Sequence, residues 1–151
     1  MDTYAKRIAV GALIRDEKDN FLIVKPHYKD GWLFAGGLVK EDETPKKALG
    51  REISEEVGLD LSVGNLLCVD YGIRDKSSII FIFDCGHVRS GTNIVYEDGE
   101  IVDHAFVSRD EAMKRLRPRG AKRLPYVLDA LSKNKPIYIE SDFESIVTSN
   151  K

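Results

Sequence analysis

Cysteine is scarce in this sequence, and its scarcity excludes two kinds of site. Only Cys68 and Cys85 occur among the 151 residues. They form no CxxC pair, so neither a disulfide framework nor a zinc site is expected. Each lies in an apolar, strand-like run, and we therefore predict two buried, unreactive thiols.

A strong excess of charge of one sign is also missing. Lys and Arg number 23, Asp and Glu number 25, and the formal net charge of -2 is spread along the chain. Because no basic stripe is present to hold a nucleic-acid backbone, a polymeric nucleic-acid partner is not expected. His27, His87 and His104 lack the spacing of metal ligands and are predicted to be surface or strand residues.

Long hydrophobic runs are absent as well. The apolar stretch near the N-terminus is broken by Arg15 and Asp16, so it makes neither a signal-peptide core nor a membrane span. No membrane partner is expected, and the predicted location is the cytoplasm. Apolar residues make up 42% of the chain, which is enough for one compact core. We predict a single domain over 1–151, with 136–151 as a C-terminal extension.

Turn-forming residues along the chain predict the order of the elements. Apolar runs predict strands over 8–14, 21–24, 61–71, 78–85 and 101–107, with a further short strand over 137–139 before a fraying polar tail. The run over 78–85 is apolar at nearly every position, which indicates a central strand. Helices are predicted over 45–57, 111–115 and 119–133, the first capped by Thr44 and closed by Gly58. This order is typical of an α+β or α/β sandwich with a mixed sheet.

Acidic residues of the first predicted helix suggest the chemistry. Glu52, Glu55 and Glu56 are three and four residues apart, so they project to one side of the helix. Converging carboxylates repel one another, and a divalent cation, most naturally Mg2+, removes that penalty. Arg51 is placed to orient a carboxylate, and Glu43 lies near the positive helix start. Taken alone, the acids are more typical of a solvated, salt-bridged helix face than of a metal site.

The neighbouring residues decide between these two interpretations. The stretch 37–59 resembles the Nudix box, written G-x5-E-x7-R-E-U-x-E-E-x-G-U, where U is a bulky aliphatic residue. Its fixed positions are all occupied as required, by Gly37, Glu43, Arg51, Glu52, Ile53, Glu55, Glu56, Gly58 and Leu59. Such a pattern is far more specific than a lone glycine-rich loop. A weaker resemblance extends over 8–131, with Ala35 in place of a frequent proline and Phe106 in place of a frequent tryptophan.

The resemblance implies a fold, a reaction and a set of roles. The fold is of the α+β class, a mixed β-sheet sandwiched between α-helices. The reaction is attack of water on phosphorus in a nucleoside diphosphate derivative, with Mg2+, or Mn2+ as a substitute, held by Glu52, Glu55 and Glu56. The expected catalytic residues are Glu52, Glu55 and Arg51, and the proton acceptor among the acids is left open. Gly37 is expected to let the backbone approach the substrate.

A fourth acid is expected because one helix surrounds only part of a metal ion. The candidates are Glu97, Glu100 and Asp103, in a segment where family members often supply a further glutamate. Regular strand alternation places Asp103 and Glu100 on opposite faces, so only one of them is expected to point towards the site. We predict Glu100 as the additional metal ligand.

The substrate is predicted to be a small nucleotide, of a kind that no local signature identifies. Tyr28, Trp32, Tyr71 and Phe106 are candidates for stacking on a base, though each also suits core packing. Of these, Trp32 joins Gly37 as an expected substrate-binding residue. A homodimer is left open. So is the alternative of a non-catalytic nucleotide-binding module, whereas isomerases and glycosylase domains of the same fold are longer and lack a complete box.

Overall fold

The computed structural model describes residues 3–74, 78–97, 99–142 and 146–148. Within these ranges the strands and helices follow in the order β1 (Ile8–Arg15), β2 (Phe21–Pro26), β3 (Gly36–Leu38), α1 (Pro45–Val57), β4 (Leu66–Gly72), β5 (Ile79–His87), β6 (Ile101–Val107), α2 (Arg109–Arg115), α3 (Pro118–Lys133), β7 (Ile137–Ser141) and β8 (Ile146–Thr148). No helix of these ranges combines the length and the apolar character that a membrane crossing demands.

The described strands form one mixed sheet. Its order is β6-β2-β1-β5-β4-β7-β8, with β3 paired to β1 outside this path. β1 and β5 run parallel, as do β4 and β7, while the other pairs are antiparallel. β5 is therefore central, as its continuous apolar sequence predicts.

Helices cover both faces of the sheet, because the central strand β1 buries side chains in both directions. Val10, Ala12 and Ile14 pack on the side of α1, whereas Leu13 packs on the side of α2 and α3. This alternation follows from the period of two in a strand. The α+β sandwich expected from the sequence is confirmed.

Helix α1 begins and ends where its sequence predicts. The Thr44 side chain accepts a hydrogen bond from the Lys47 backbone N–H at 3.2 Å, and Pro45 occupies the first helical position. Gly58 ends the helix with φ +69°, a left-handed conformation that glycine adopts at little cost. Local sequence thus fixes the two ends of the helix that carries the acids.

Two sequence-based expectations about strands are wrong. The strand expected over 61–71 begins only at Leu66, because Leu61 and Val63 pack against the α1-side core as part of a loop. Regular alternation in β6 also fails, since Ile101 and Phe106 both pack on the α1 side. The cause is a bulge opposite Pro26, where the pairing shifts register.

Residues 136–151, expected from the sequence to be a C-terminal extension, contain the extra strand predicted over 137–139. β7 lies parallel to β4 and pairs with β8. In its pairing with β4, Ile139 of β7 lies opposite Asp70, and the Ile139 side chain is fully buried. The fraying predicted for the polar residues after Ile139 is wrong where the structure describes strands, at the end of β7 and in β8. The rest of that prediction falls on 143–145 and 149–151, which lie outside the described residues.

Candidate active site

Arg51 is the hub of the acidic helix face. Its Nε and Nη2 donate to the two carboxylate oxygens of Glu43 at 2.6 and 2.8 Å, a bidentate pairing. Its Nη1 donates to Glu52 at 2.8 Å and to Glu55 at 3.2 Å. Nη2 also donates to the carbonyl of Leu38 at 3.2 Å. One guanidinium therefore holds three carboxylates in place beside β3. Its contacts with Glu52 and Glu55 agree with the sequence, in which Arg51 precedes these residues by one and four positions.

Gly37 makes room for a carboxylate. A Cβ added at this residue would lie 2.5 Å from the Glu52 carboxyl carbon and 2.7 and 2.8 Å from its oxygens. The sequence suggested that Gly37 lets the backbone approach a substrate. In the structure the group that approaches it is the side chain of Glu52, which settles against β3 because no side chain intervenes.

Glu56 is fixed by the neighbouring glycine. Its side chain is buried, and its Oε1 accepts a hydrogen bond from the Gly36 backbone N–H at 2.8 Å. Gly36 itself lies so close to β1 that an added Cβ would meet the Val10 carbonyl oxygen at 1.9 Å. The two glycines thus position two different carboxylates. Gly37 leaves room for the Glu52 carboxylate, and the Gly36 backbone N–H donates a hydrogen bond to the Glu56 carboxylate.

Electrostatics around Glu52 favour a cation. Burial raises the pKa of this carboxyl, Arg51 lowers it, and the neighbouring carboxylates of Glu55 and Glu100 raise it. Glu43 behaves in the opposite way, because the hydrogen bonds from Arg51 lower its pKa to about 2. Mutual repulsion among partly buried carboxylates is a penalty that a divalent cation relieves.

The donor set fits a hard cation, although it does not form a closed cage. Among the described residues no three Asp, Glu, His or Cys side chains already stand together as a metal cluster. Instead, Glu52, Glu56 and Glu100 line one open cleft of about 640 Å3. An open set of carboxylate oxygens suits Mg2+, which keeps several waters and takes further ligands from substrate phosphates.

The three candidates for a fourth acid occupy different surroundings. Glu100 lines the cleft with Glu52, and the two carboxylates interact. Asp103 is exposed, and its carboxylate accepts a hydrogen bond from the His104 backbone at 2.7 Å. Glu97 is exposed and joins the helix through its backbone N–H, which donates to the Glu55 carbonyl at 3.1 Å.

Of the four aromatic candidates for base stacking, two line the cleft and two lie elsewhere. Tyr28 and Trp32 line the cleft. Tyr28 is 54% exposed, with the His27 ring 5.5 Å and Lys29 Nζ 5.4 Å from its ring centre. Trp32 is partly buried, with the Arg115 guanidinium 5.5 Å from its ring centre. Tyr71 lies elsewhere and hydrogen-bonds to Tyr4, and Phe106 packs into the α1-side core.

The remaining polar predictions concern cysteines and histidines. Cys68 and Cys85 are buried and unpaired, and burial raises the pKa of each thiol to about 12, as expected of unreactive core residues. His27 is exposed, His87 contacts Asp19, and His104 on β6 contacts Tyr96 at 2.7 Å.

The sequence did not reveal a second charged part of the same cleft. Arg119 and Arg123 line it and both contact Asp70, which is completely buried in β4. Ser141 of β7 also donates to Asp70. The one available signal was a lone aspartate inside the apolar run of β4, since a buried charge requires a partner.

The chain is similar to known proteins in both sequence and fold. The NUDIX domain family model matches residues 5–131. A CTP pyrophosphohydrolase of Escherichia coli is 40% identical over 110 residues, 70% of this chain and 78% of that protein. The crystal structure of a MutT protein from Methanosarcina mazei superposes with a TM-score of 0.69 at 27% identity, covering 88% of this chain and 99% of that one.

Some other matches cover a smaller part of the chain. An RNA pyrophosphohydrolase of Marinomonas sp. is 40% identical over 60 residues, which is 40% of this chain and 37% of that protein. Three of the curated relatives, this one included, are matched over only 37%, 62% and 38% of their own lengths.

Proposed function

The chain belongs to the Nudix hydrolase family, and on that premise we propose that it hydrolyses the pyrophosphate linkage of a nucleoside diphosphate derivative with the help of a divalent cation. The substrate is a small molecule, such as a nucleoside triphosphate or a nucleotide sugar. One observation carries the proposal: Arg51 and the Gly36–Gly37 pair hold the box carboxylates at a cleft of about 640 Å3.

The roles of the chain's residues follow from their contacts. Glu52, Glu55 and Glu56 of α1, with Glu100, the residue before β6, are the groups that would hold Mg2+ or Mn2+. When bound, the cation supplies neutralisation of the phosphate oxygens and a water of lowered pKa. Arg51 does not reach substrate in this role, because it is committed to Glu43 and to the orientation of two other carboxylates.

The bond changes balance without a further reactant. The water oxygen forms a bond to one phosphorus while the bridging P–O bond breaks, and the products are two phosphate compounds. A proton of the attacking water passes to a carboxylate of α1, for which the candidates are Glu52, which lines the cleft, and Glu55, which does not line it but shares the Arg51 contact. The box positions both, since Arg51 Nη1 contacts each of them.

The first test is substrate turnover. Purified protein with Mg2+ is incubated with nucleoside triphosphates, nucleotide sugars, ADP-ribose and dinucleotides, and products are separated by chromatography. We expect hydrolysis of at least one diphosphate linkage, its loss on chelation of divalent cations, and its recovery with Mg2+ or Mn2+. Turnover that persists under chelation would refute the metal requirement. Nucleotide binding without products would favour the non-catalytic module instead.

A matched pair of variants tests the carboxylates directly. Glu56→Gln keeps an oxygen that can accept from the Gly36 N–H and removes the charge, so we expect an intact fold and a loss of at least ~10²-fold in kcat. Glu41→Gln, at an exposed position outside the cleft, is the control and should retain full turnover. Equal turnover in the two variants would remove Glu56 from the catalytic site.

A further inference from the structure

The cleft is lined by more cations than its catalytic acids require. Besides Glu52, Glu56 and Glu100, its lining contains a set of basic side chains from the start of β1, the loop after β2 and the start of α3: Arg7, Lys29, Arg117, Arg119 and Arg123. In the proposed reaction the acids are matched by the cation they hold. Among the residues that the structure describes, the acidic side chains that line the cleft are fewer than these basic ones.

Two of these arginines are built into the structure. Arg123 Nε donates to the Asp70 carboxylate at 2.7 Å, and Arg119 Nη2 lies 3.5 Å from the same carboxylate. The Arg119 Nε also donates to Ser141 Oγ at 3.0 Å. Both guanidinium groups are thereby held in fixed orientations. An anion that binds here would therefore lose little free energy in ordering these side chains.

Among the described residues, the charge around Asp70 does not balance. Asp70 is fully buried, and the side chains of Arg123 and Arg119 are only 10% and 22% exposed, so two cations share one carboxylate away from bulk water. Burial lowers the pKa of Arg119, which reflects this cost. A partly buried excess of positive charge is stabilised by an anion that brings charge-assisted hydrogen bonds.

The start of helix α3 adds to the positive charge in this part of the cleft. Its N-cap residue, Arg117, makes no side-chain capping hydrogen bond, and Pro118 follows at the first helical position. Arg117, Arg119 and Gly120 of this helix end all line the cleft. The helix N-terminus carries partial positive charge and backbone N–H donors, so it reinforces the arginines there.

We propose that this arginine wall, defined as Arg7, Arg117, Arg119 and Arg123, binds a second anionic group of the substrate, a phosphate or a carboxylate distant from the scissile linkage. The inference rests on the proposed function for the identity of that linkage. It narrows the substrate class to diphosphates whose non-reacting part carries negative charge of its own. A neutral sugar or base in this part of the cleft would bring no anion to the two arginines, Arg119 and Arg123, that share the single carboxylate of Asp70.

Matched pairs of substrates test the inference. NADP+ and NAD+ differ by one phosphate, and UDP-glucuronate and UDP-glucose differ by one carboxylate. We expect kcat/KM to be about ten- to a hundredfold higher for the charged member of at least one pair, the gain typical of hydrogen bonds to a charged group. The pair that shows it distinguishes phosphate from carboxylate. Equal values within both pairs would overturn the inference.

Variants assign the preference to the wall. Arg119→Gln should reduce the preference to about threefold or less, while Lys122→Gln, an exposed lysine of the same helix outside the cleft, should keep it. If Arg119→Gln melts so low that it cannot be assayed, Arg7→Gln on the exposed side of the wall takes its place. A preference that survives removal of the wall arginine overturns the inference.

A binding measurement separates this inference from the proposed function. The metal-free chain is titrated with inorganic phosphate by calorimetry, and binding should weaken about tenfold or more in Arg119→Gln but not in Lys122→Gln. If no diphosphate is hydrolysed but phosphate binds through Arg119, the proposed reaction fails and the anion site stands. If diphosphates are hydrolysed but phosphate binding ignores Arg119, the anion site fails and the reaction stands.

Discussion

Replacement of Gly37 by alanine tests how closely β3 and the acidic helix depend on each other. The added Cβ would lie 2.5 Å from the Glu52 carboxyl carbon, whereas carbon atoms in favourable contact are about 3.5 Å apart. The carboxylate must therefore move by about 1 Å, the difference between these two distances. Such a shift strains or breaks its 2.8 Å hydrogen bond with Arg51.

The expected loss is functional and not structural. Gly37 does not have a positive φ, so alanine is compatible with its backbone, and the group displaced is the flexible end of a side chain. A misplacement of about 1 Å in a catalytic site costs on the order of 10²-fold in rate. We expect kcat of Gly37→Ala to fall by about that factor, with a melting temperature close to that of the parent.

Gly50→Ala is the matched control, because it adds the same methyl group to α1, the helix that carries Glu52. An added Cβ at Gly50 meets nothing within 4 Å. Alanine is favoured over glycine inside a helix by roughly 0.5–1 kcal/mol, so this variant should be slightly more stable and fully active. Steady-state kinetics with saturating Mg2+ and thermal melts compare the two. Unchanged kcat in Gly37→Ala would refute the reasoning that this glycine positions Glu52.

Three further changes have expected outcomes. Gly58→Val places a β-branched residue at φ +69° and should lower the free energy of unfolding by about 1 kcal/mol or more, a fall of roughly 2–4 °C in Tm; an unchanged Tm would contradict the strain. Glu100→Gln should lower turnover about ten- to a hundredfold, while Asp103→Asn, outside the cleft, should not; the reverse result would assign the fourth acid to Asp103. Glu43→Gln should destabilise the protein most above pH 5, because Arg51 lowers the pKa of the Glu43 carboxyl to about 2. The contribution of this ionised carboxyl to the free energy of unfolding is lost as the pH falls from about 4.5 towards 2. Urea unfolding across this range should show the two curves converging at low pH, and parallel curves would argue against the ion pair.

What the sequence determined by itself was local. The box acids lie on one face of α1 because residues three and four apart on a helix are neighbours, and Thr44, Pro45 and Gly58 fix where that helix begins and ends. The contact of Arg51 with Glu55 follows from the same spacing. The class of fold and the central place of β5 followed from the order and apolar character of the segments.

The tertiary structure decided the contacts between segments distant in the chain. Gly36 reaches Glu56 across 20 positions, and Asp70 reaches Arg123 across 53 and Ser141 across 71. The bulge opposite Pro26, which depends on how β2 pairs with β6, decided which side chains of β6 reach the α1-side core. Periodicity constrains only neighbours along one element, so the relative placement of elements, and with it the charge of the cleft, depends on how the sheet and helices pack.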